Sequence, residues 1–192
     1  IYATSSFNFD SIEQGMNIFT GKETGHFYSR YANPTVDAVA DKIAKLETFG
    51  TDITAKGMLV SSGMAAISTL LMGVLKSGDK ILTQGNLYGG TTELFNKIFA
   101  PMGIEPVYMD LGNLEAVETT LKETPSVRLI YFETPANPTL ACLDIAGLAS
   151  IAQAHNIISV IDNTFCSPYL QQPLALGVDF VIHSTTKYIN GH

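Results

Sequence analysis

The residues best equipped for chemistry lie in one run near the end of the chain: Val178-Asp-Phe-Val-Ile-His183-Ser184-Thr185-Thr186-Lys187-Tyr188. An apolar, β-branched stretch stops abruptly in three consecutive hydroxyl residues and a lysine. That pattern reads as a buried strand whose C-terminal end opens into a polar pocket, and in parallel α/β sheets ligands bind at that end. Three hydroxyls beside an ammonium suit a phosphate. A lysine held among apolar neighbours loses its proton readily and can form a Schiff base. Pyridoxal phosphate bound covalently through Lys187 satisfies both features. Two other readings of the run stand beside this one. A lysine after a strand is commonly a solvated loop residue, and Ser184-x-x-Lys187 matches the S-x-x-K pattern of serine acyl-enzymes. The S-D-N and K-T-G partners of that pattern do not occur in the chain.

Other chemistry-bearing residues follow the same grammar. Ser62-Gly63-Met64 precedes an apolar helical run, where glycine permits close backbone approach and the first helical N–H groups can bind an anion. Ser-Gly is also a common turn. Asp162 ends the run Ile-Ile-Ser-Val-Ile. A carboxylate in that position needs a partner, which a protonated pyridine nitrogen or a structural hydrogen bond would provide. It precedes Lys187 by 25 residues. Tyr88 stands beside Gly89 and Gly90, so its ring could lie flat over a ligand, and Asn137 between two prolines could hold a ring hydroxyl. Structural turns explain each of these two equally well in isolation. No G-x-G-x-x-G or G-x-x-x-x-G-K-[ST] is present, so neither a dinucleotide fingerprint nor a P-loop is supported.

The elements that must position these residues alternate regularly. Residues 1–34 are irregular and aromatic, apart from a short helix around Ser11–Ile18 capped by Asp10 or Ser11. Asn33-Pro34-Thr35 starts a helix whose Val36, Val39, Ala40, Ile43 and Leu46 share one face. Strands are predicted at Gly57–Val60, Lys80–Thr83, Ile104–Met109, Val127–Phe132, Ile157–Ile161 and Val178–His183. Helices are predicted at Met64–Leu75, Thr91–Phe99, Leu114–Leu121 and Ile145–His155. The first of these is apolar almost all round, hence buried. Strand-helix alternation with short connections predicts a mostly parallel, doubly wound α/β sheet with helices on both faces.

Composition narrows the partners. A net charge of −7, from 11 Lys+Arg against 18 Asp+Glu, disfavours a nucleic-acid surface. Two cysteines are too few for a disulfide framework or a cysteine zinc site, and no metal is expected; they suit a reducing, cytoplasmic compartment. No apolar run approaches the roughly 18 residues of a membrane helix, so no membrane partner is expected. The chain starts at Ile1 and stops straight after Gly191-His192, which reads as the interior of a longer polypeptide.

Read together, these motifs resemble the pyridoxal-phosphate enzymes of cysteine and methionine metabolism, the transsulfuration family. The matching segments are Phe27-Tyr28-Ser29-Arg30 with Asn33-Pro34-Thr35, Ser62-Gly63-Met64-Ala65-Ala66, Tyr88-Gly89-Gly90-Thr91, Glu133-Thr134-Pro135-Ala136-Asn137-Pro138, Asp162-Asn163-Thr164 and His183-Ser184-Thr185-Thr186-Lys187-Tyr188 through Gly191-His192. The resemblance implies an aspartate-aminotransferase-like large domain (fold type I) over 36–192, an arm at 1–35 for contacts between subunits, and a C-terminal domain outside this chain. It implies that Lys187 binds the cofactor and moves protons, that Asp162 pairs with the ring nitrogen, and that Tyr88 stacks on the ring and protonates a leaving thiol. Ser184, Thr186 and the Ser62-Gly63-Met64 turn would hold the phosphate. Tyr28 and Arg30 would reach the phosphate of a neighbouring subunit, in a shared-site homodimer within a homotetramer. The implied reaction is elimination or replacement at the γ or β carbon of a sulfur amino acid, most like that of methionine γ-lyases. Those enzymes often carry cysteine where Gly90 stands here, so cystathionine γ-synthase, cystathionine γ-lyase and O-acetylhomoserine sulfhydrylase chemistry stay open, and outside the family a non-catalytic α/β binding module would keep the fold without a Schiff base.

Overall fold

A computed structural model describes residues 1–191; His192, the last residue of the Gly191-His192 motif, lies outside the described residues. The chain forms two compact units, one of residues 1–46 with 54–59 and one of residues 47–53 with 60–192.

The smaller unit holds helix α1 (Ile12–Phe19) and most of α2 (Pro34–Glu47). Ser11 caps α1, its side chain accepting from the Gln14 amide. The arm aromatics stack on one another, with Phe27 4.5 Å from Phe19 and 4.9 Å from Tyr31 between ring centroids. The strand predicted at Gly57–Val60 does not form. Gly57 instead lies so close to the Ala40 carbonyl of α2 that a side chain there would collide with it, and residues 57–60 pair with no strand.

The larger unit contains a five-stranded sheet of β1 (Lys80–Thr83), β2 (Glu105–Tyr108), β3 (Val127–Glu133), β4 (Ile158–Asp162) and β5 (Phe180–Ile182), in the order β2-β1-β3-β4-β5. All four pairings are parallel. The order reverses direction between β1 and β3, and such a switch point opens a crevice at the C-terminal strand ends. Helices α3 (Gly63–Val74), α4 (Gly89–Glu93), α5 (Leu114–Glu123), α6 (Ile145–Ala154) and α7 (Ser167–Leu170) surround the sheet.

Two cores confirm that helices cover both faces. Leu129 and Tyr131 of β3 pack with Ile67 and Leu71 of α3 and with Phe95 and Phe99. Their neighbours Ile130 and Phe132 pack with Val117 and Leu121 of α5 and Leu148 of α6. Alternate residues of one strand thus feed opposite cores, as the pleat requires.

Three local departures have physical causes. The helix predicted at Thr91–Phe99 is α-helical only to Glu93 and continues as a π-helix over Leu94–Phe99. Pro101 lacks the N–H that a regular helix would donate to Lys97, and the Ile104 amide closes a wider turn onto the Phe99 carbonyl. Strand β5 starts only at Phe180, after the exposed Asp179, whose carboxylate accepts from both the amide and the hydroxyl of Ser159, each at 2.8 Å. Helix α3 is not buried all round: Ile67 and Leu71 are enclosed, whereas Met72 is exposed. Among the described residues no helix is long and apolar enough to cross a membrane.

Leu129, fully buried at the centre of the sheet, gives a direct test of this core. Leu129→Ala should lower the unfolding free energy by about 2–5 kcal/mol in denaturant titrations, the range for cavity-forming core truncations.

Candidate active site

The alternation of the strands decides which polar residues reach which face. On β3, Leu129 and Tyr131 face α3, so Glu133 does too. On β4, Val160 faces α3 and Ile161 faces α5 and α6, so Asp162 turns to the α3 side. Glu133 and Asp162 are partners in the parallel register. Two carboxylates therefore end neighbouring strands on one face.

Facing them is the start of α3. Ser62 caps this twelve-residue helix, its hydroxyl accepting from the Ala65 amide at 3.0 Å. The Gly63 and Met64 amides in the first turn have no acceptor within the helix. Gly63 passes so close to the loop after β5 that an added Cβ would fall 2.8 Å from the Ser184 Cβ and 3.1 Å from its Oγ. Ser184 Oγ lies 2.8 Å from Thr186 Oγ1, and the Ser184 amide donates to Thr164 Oγ1 at 2.8 Å. The structure thus brings Ser62, Gly63, Met64, Ser184 and Thr186 together. First-turn amides beside two hydroxyls form a donor set suited to a phosphate.

Tyr88 belongs to the same corner. A Cβ on Gly90 would lie 2.7 Å from Tyr88 Cε1 and 3.2 Å from Met64 Sδ, so the Tyr88 ring folds back over a glycine that has room for it. Its backbone amide donates to both oxygens of Glu133, at 3.0 and 2.9 Å.

Asp162 accepts from the Thr164 amide at 2.9 Å. Burial pushes its carboxyl above the ordinary value, while the Thr164 hydroxyl and amide and the nearby His183 pull it down. Glu133 is displaced in the same direction. Burial, then the charge of Asp162, push it up to about 7 from an ordinary 4.5, against the pull of the Tyr88 amide and the Thr91 hydroxyl. A site with two crowded carboxylates favours an incoming cation.

Lys187 departs from expectation. The predicted apolar enclosure is missing: Lys187 is exposed at the mouth of the strand ends, preceding a short 3-10 turn over Tyr188–Asn190. Strand β5 ends at Ile182, and Lys187 lies in the loop that follows it. Ser184 Oγ pairs with Thr186 rather than with the lysine amine, which removes the geometric basis for a serine-lysine pair. Asn137 is also exposed, in the loop after β3, between cis peptide bonds at Thr134–Pro135 and Asn137–Pro138. Tyr28 and Arg30 lie in the smaller unit, the Arg30 guanidinium 4.8 Å above the centre of the Tyr28 ring.

Sequence reasoning missed two further features. Glu133 obeys the same strand-end rule that singled out Asp162, so its position carried the signal. The other feature is a buried pair, His183 Nε2 with Glu47 Oε1 at 2.5 Å, which the Asn163 amide joins at 3.1 Å. Nothing local in the sequence marks Glu47 as a partner for a residue 136 positions away.

A doubly wound parallel sheet with free helix-start amides, hydroxyls, paired acids and a lysine at its strand ends is suited to a phosphorylated cofactor. The chain belongs to the Cys/Met metabolism PLP-dependent enzymes, whose family profile matches residues 1–192. It is 43% identical over 192 residues to the L-methionine γ-lyase of Pseudomonas putida and 46% identical over 193 residues to that of Fusobacterium nucleatum. It is 42% identical over 191 residues to the O-succinylhomoserine sulfhydrylase of Pseudomonas aeruginosa. In each comparison all of this chain is covered, but only 46%, 47% and 46% of the relative. The chain therefore spans about half the length of the relatives it matches. Among solved structures it resembles a Campylobacter jejuni protein assigned as an O-acetylhomoserine (thiol)-lyase and carrying N'-pyridoxyl-lysine-5'-monophosphate. The TM-score there is 0.89 at 35% identity, covering all of this chain and 46% of that one. A cystathionine γ-lyase from Lactobacillus plantarum gives 0.87 at 41% identity, with the same coverage. The fold is that of the fold type I pyridoxal-phosphate enzymes.

The raised Glu133 carboxyl has a signature in stability. Its folded value of about 7 lies above its ordinary 4.5. The folded state therefore binds the extra proton between these values. This contribution is fully present below about pH 4.5 and is lost as pH rises to about 7, roughly 3 kcal/mol in all. Glu133→Gln should flatten that part of the stability profile, measured by denaturant unfolding of the cofactor-free protein across the window.

Proposed function

We propose that the protein of which this chain forms part is a pyridoxal-phosphate enzyme acting on sulfur amino acids. It would break or replace the bond at the γ (or β) carbon, most in the manner of a methionine γ-lyase, releasing a thiol, ammonia and 2-oxobutyrate. The observation that carries this reading is the convergence of the capped α3 start, the Ser184 and Thr186 hydroxyls and the Asp162 carboxylate on one face of the sheet. These residues fit the cofactor: amides and hydroxyls for its phosphate, a cation-seeking acid for its ring nitrogen, and an accessible amine at Lys187 to hold it covalently.

When bound, pyridoxal phosphate supplies a sink for the electron pair left at the substrate α-carbon. The remaining work falls to the chain's own residues. Ser62, Gly63, Met64, Ser184 and Thr186 bind the phosphate. Asp162 keeps a positive charge at the ring nitrogen, lowering the energy of the developing carbanion. Tyr88 covers the ring and, through its hydroxyl, donates a proton to the departing sulfur. Asn137 orients the ring oxygen. The Lys187 amine would take the protons that leave Cα and then Cβ, and return protons at Cγ and Cβ.

Tyr28 and Arg30 would serve a neighbouring subunit's phosphate, for which a guanidinium fork is suited. In that reading residues 1–35 are an inter-subunit arm and residues 36–192 the cofactor-binding domain of a shared-site homodimer, assembled as a homotetramer in the cytoplasm. The relatives support the chemistry: methionine γ-lyases recur among them, beside a sulfhydrylase and a cystathionine β-lyase. γ-Replacement, as in cystathionine γ-synthase or O-acetylhomoserine sulfhydrylase, is the second reading, favoured by Gly90 in place of cysteine.

Full-length protein loaded with pyridoxal phosphate should be yellow, and borohydride should bleach it while tagging Lys187. A colourless, untagged protein would sink the enzyme reading. Methionine, cystathionine and O-acetylhomoserine supplied side by side should distinguish 2-oxobutyrate release from formation of a new thioether. Asp162→Ala should leave a folded protein whose kcat falls at least a hundredfold, about 2.7 kcal/mol in the barrier. Arg30→Ala mixed with Lys187→Ala should regain activity through hybrid sites, and no rescue would count against sharing between subunits.

A further inference from the structure

Glu133 has no part in the chemistry above, yet it is the most constrained acid at the strand ends. Only 5% of it is exposed. Gln84, itself buried, holds its backbone on both sides: the Glu133 amide donates to Gln84 Oε1 at 3.1 Å, and Gln84 Nε2 donates to the Glu133 carbonyl at 3.0 Å. So secured, the carboxylate reaches across the switch point and accepts the Tyr88 amide with both oxygens. Its neighbour in the β3–β4 register is Asp162, on the same face.

We propose that Glu133 is a positioning residue of the cofactor site, anchoring Tyr88 through its amide and coupled in charge to Asp162, so that a cation seated at Asp162 lets Glu133 ionise. With pyridoxal phosphate as that occupant, on which this role rests, binding of the cofactor tightens the anchor of the residue that covers it. An ionised carboxylate holds an amide roughly twice as strongly as a neutral acid does.

Among the described residues, the following groups supply Glu133 with no full positive charge. Tyr131, on the same strand and face, is buried and held neutral, its hydroxyl pushed up by burial and by both carboxylates. Helix α3 carries no charged residue. Helix α4 offers Thr91 and the Tyr88 amide, and its Glu93 is exposed and paired with Lys97. His183 acts on Asp162 and is itself bonded to Glu47.

The sign of the coupling follows. Cofactor-free protein below about pH 7 carries a proton on Glu133, and a positive ring nitrogen beside Asp162 expels it. From this group alone, cofactor affinity rises about tenfold between pH 6 and pH 8, and the gain disappears when the group cannot titrate.

The test uses cofactor-free full-length protein titrated with pyridoxal phosphate at pH 6 and pH 8, wild type against Glu133→Gln. Glutamine keeps one acceptor for Tyr88 and loses only the charge. The ratio of the two dissociation constants should be about tenfold larger in wild type; equal ratios would overturn the proposal while leaving the cofactor reading intact. Wild-type protein that binds no pyridoxal phosphate would overturn both, a result independent of the variant. Infrared spectra of wild-type protein labelled with 13C-glutamate keep the question open to refutation should the variant not fold. At pH 6 a protonated-glutamate band should be present and should vanish on adding the cofactor; its absence from the cofactor-free protein also overturns the proposal.

Discussion

A carboxylate buried at the end of a strand costs free energy unless something pairs with it, and here two of them, Glu133 and Asp162, end adjacent strands on one face. The crowding comes from backbone geometry: in-register parallel strands place corresponding side chains on the same side. Much of the surrounding structure offsets that cost. Gln84 fixes the backbone of one acid, Tyr88 supplies it with an amide, and Thr164 supplies an amide to the other. None of these groups is a full positive charge bonded to either acid. The site is thus built with its electrostatics unbalanced in the direction that favours a cationic ligand group.

The anion seat balances the other end of the same ligand. It depends on the closeness of two segments far apart in sequence, Gly63 at the start of α3 and Ser184 after β5. Glycine matters there for the missing Cβ, since any larger residue would push the hydroxyl loop away from the helix start. A similar economy operates at Gly90, where the absent side chain leaves the Tyr88 ring its resting place. The paired acids, the helix-start amides, the two hydroxyls and the Tyr88 ring follow different strands of one sheet, so their spacing is inherited from the sheet rather than from any single loop.

How much of this was legible in the sequence varied with the range of the signal. Strand ends are local, and the rule that ligands gather there was enough to select Asp162, Ser184, Thr186 and the Ser62-Gly63-Met64 turn. The same rule takes in the Glu133 segment, but nothing local distinguishes that carboxylate from the turn it opens. The apolar run at Gly57–Val60 looks like a strand because apolarity does not reveal whether a pairing partner exists. The run at Met64–Leu75 looks wholly buried because periodicity does not say how much of a helix its own chain covers. Lys187 stands exposed in the loop after β5 rather than in an apolar enclosure, and no sequence pattern announces how that loop leaves the sheet. Long-range pairs such as Glu47 with His183 leave no periodic trace at all.

That last pair bears on the order in which the molecule comes into being. Glu47 and His183 are separated by 136 residues, and at synthesis rates of about 5–20 residues per second the histidine emerges roughly 7–27 seconds after the glutamate. Throughout that interval Glu47 has no histidine to meet, so it stays hydrated until β5 docks against β4. Closing so long a loop before any reward is collected is slow, and it makes this contact a late event in folding. The residue directly before the phosphate-seat hydroxyls is thereby locked only when the sheet is otherwise complete. The loop that carries Ser184, Thr186 and Lys187 is thus made only after nearly all of the sheet it follows has been synthesised.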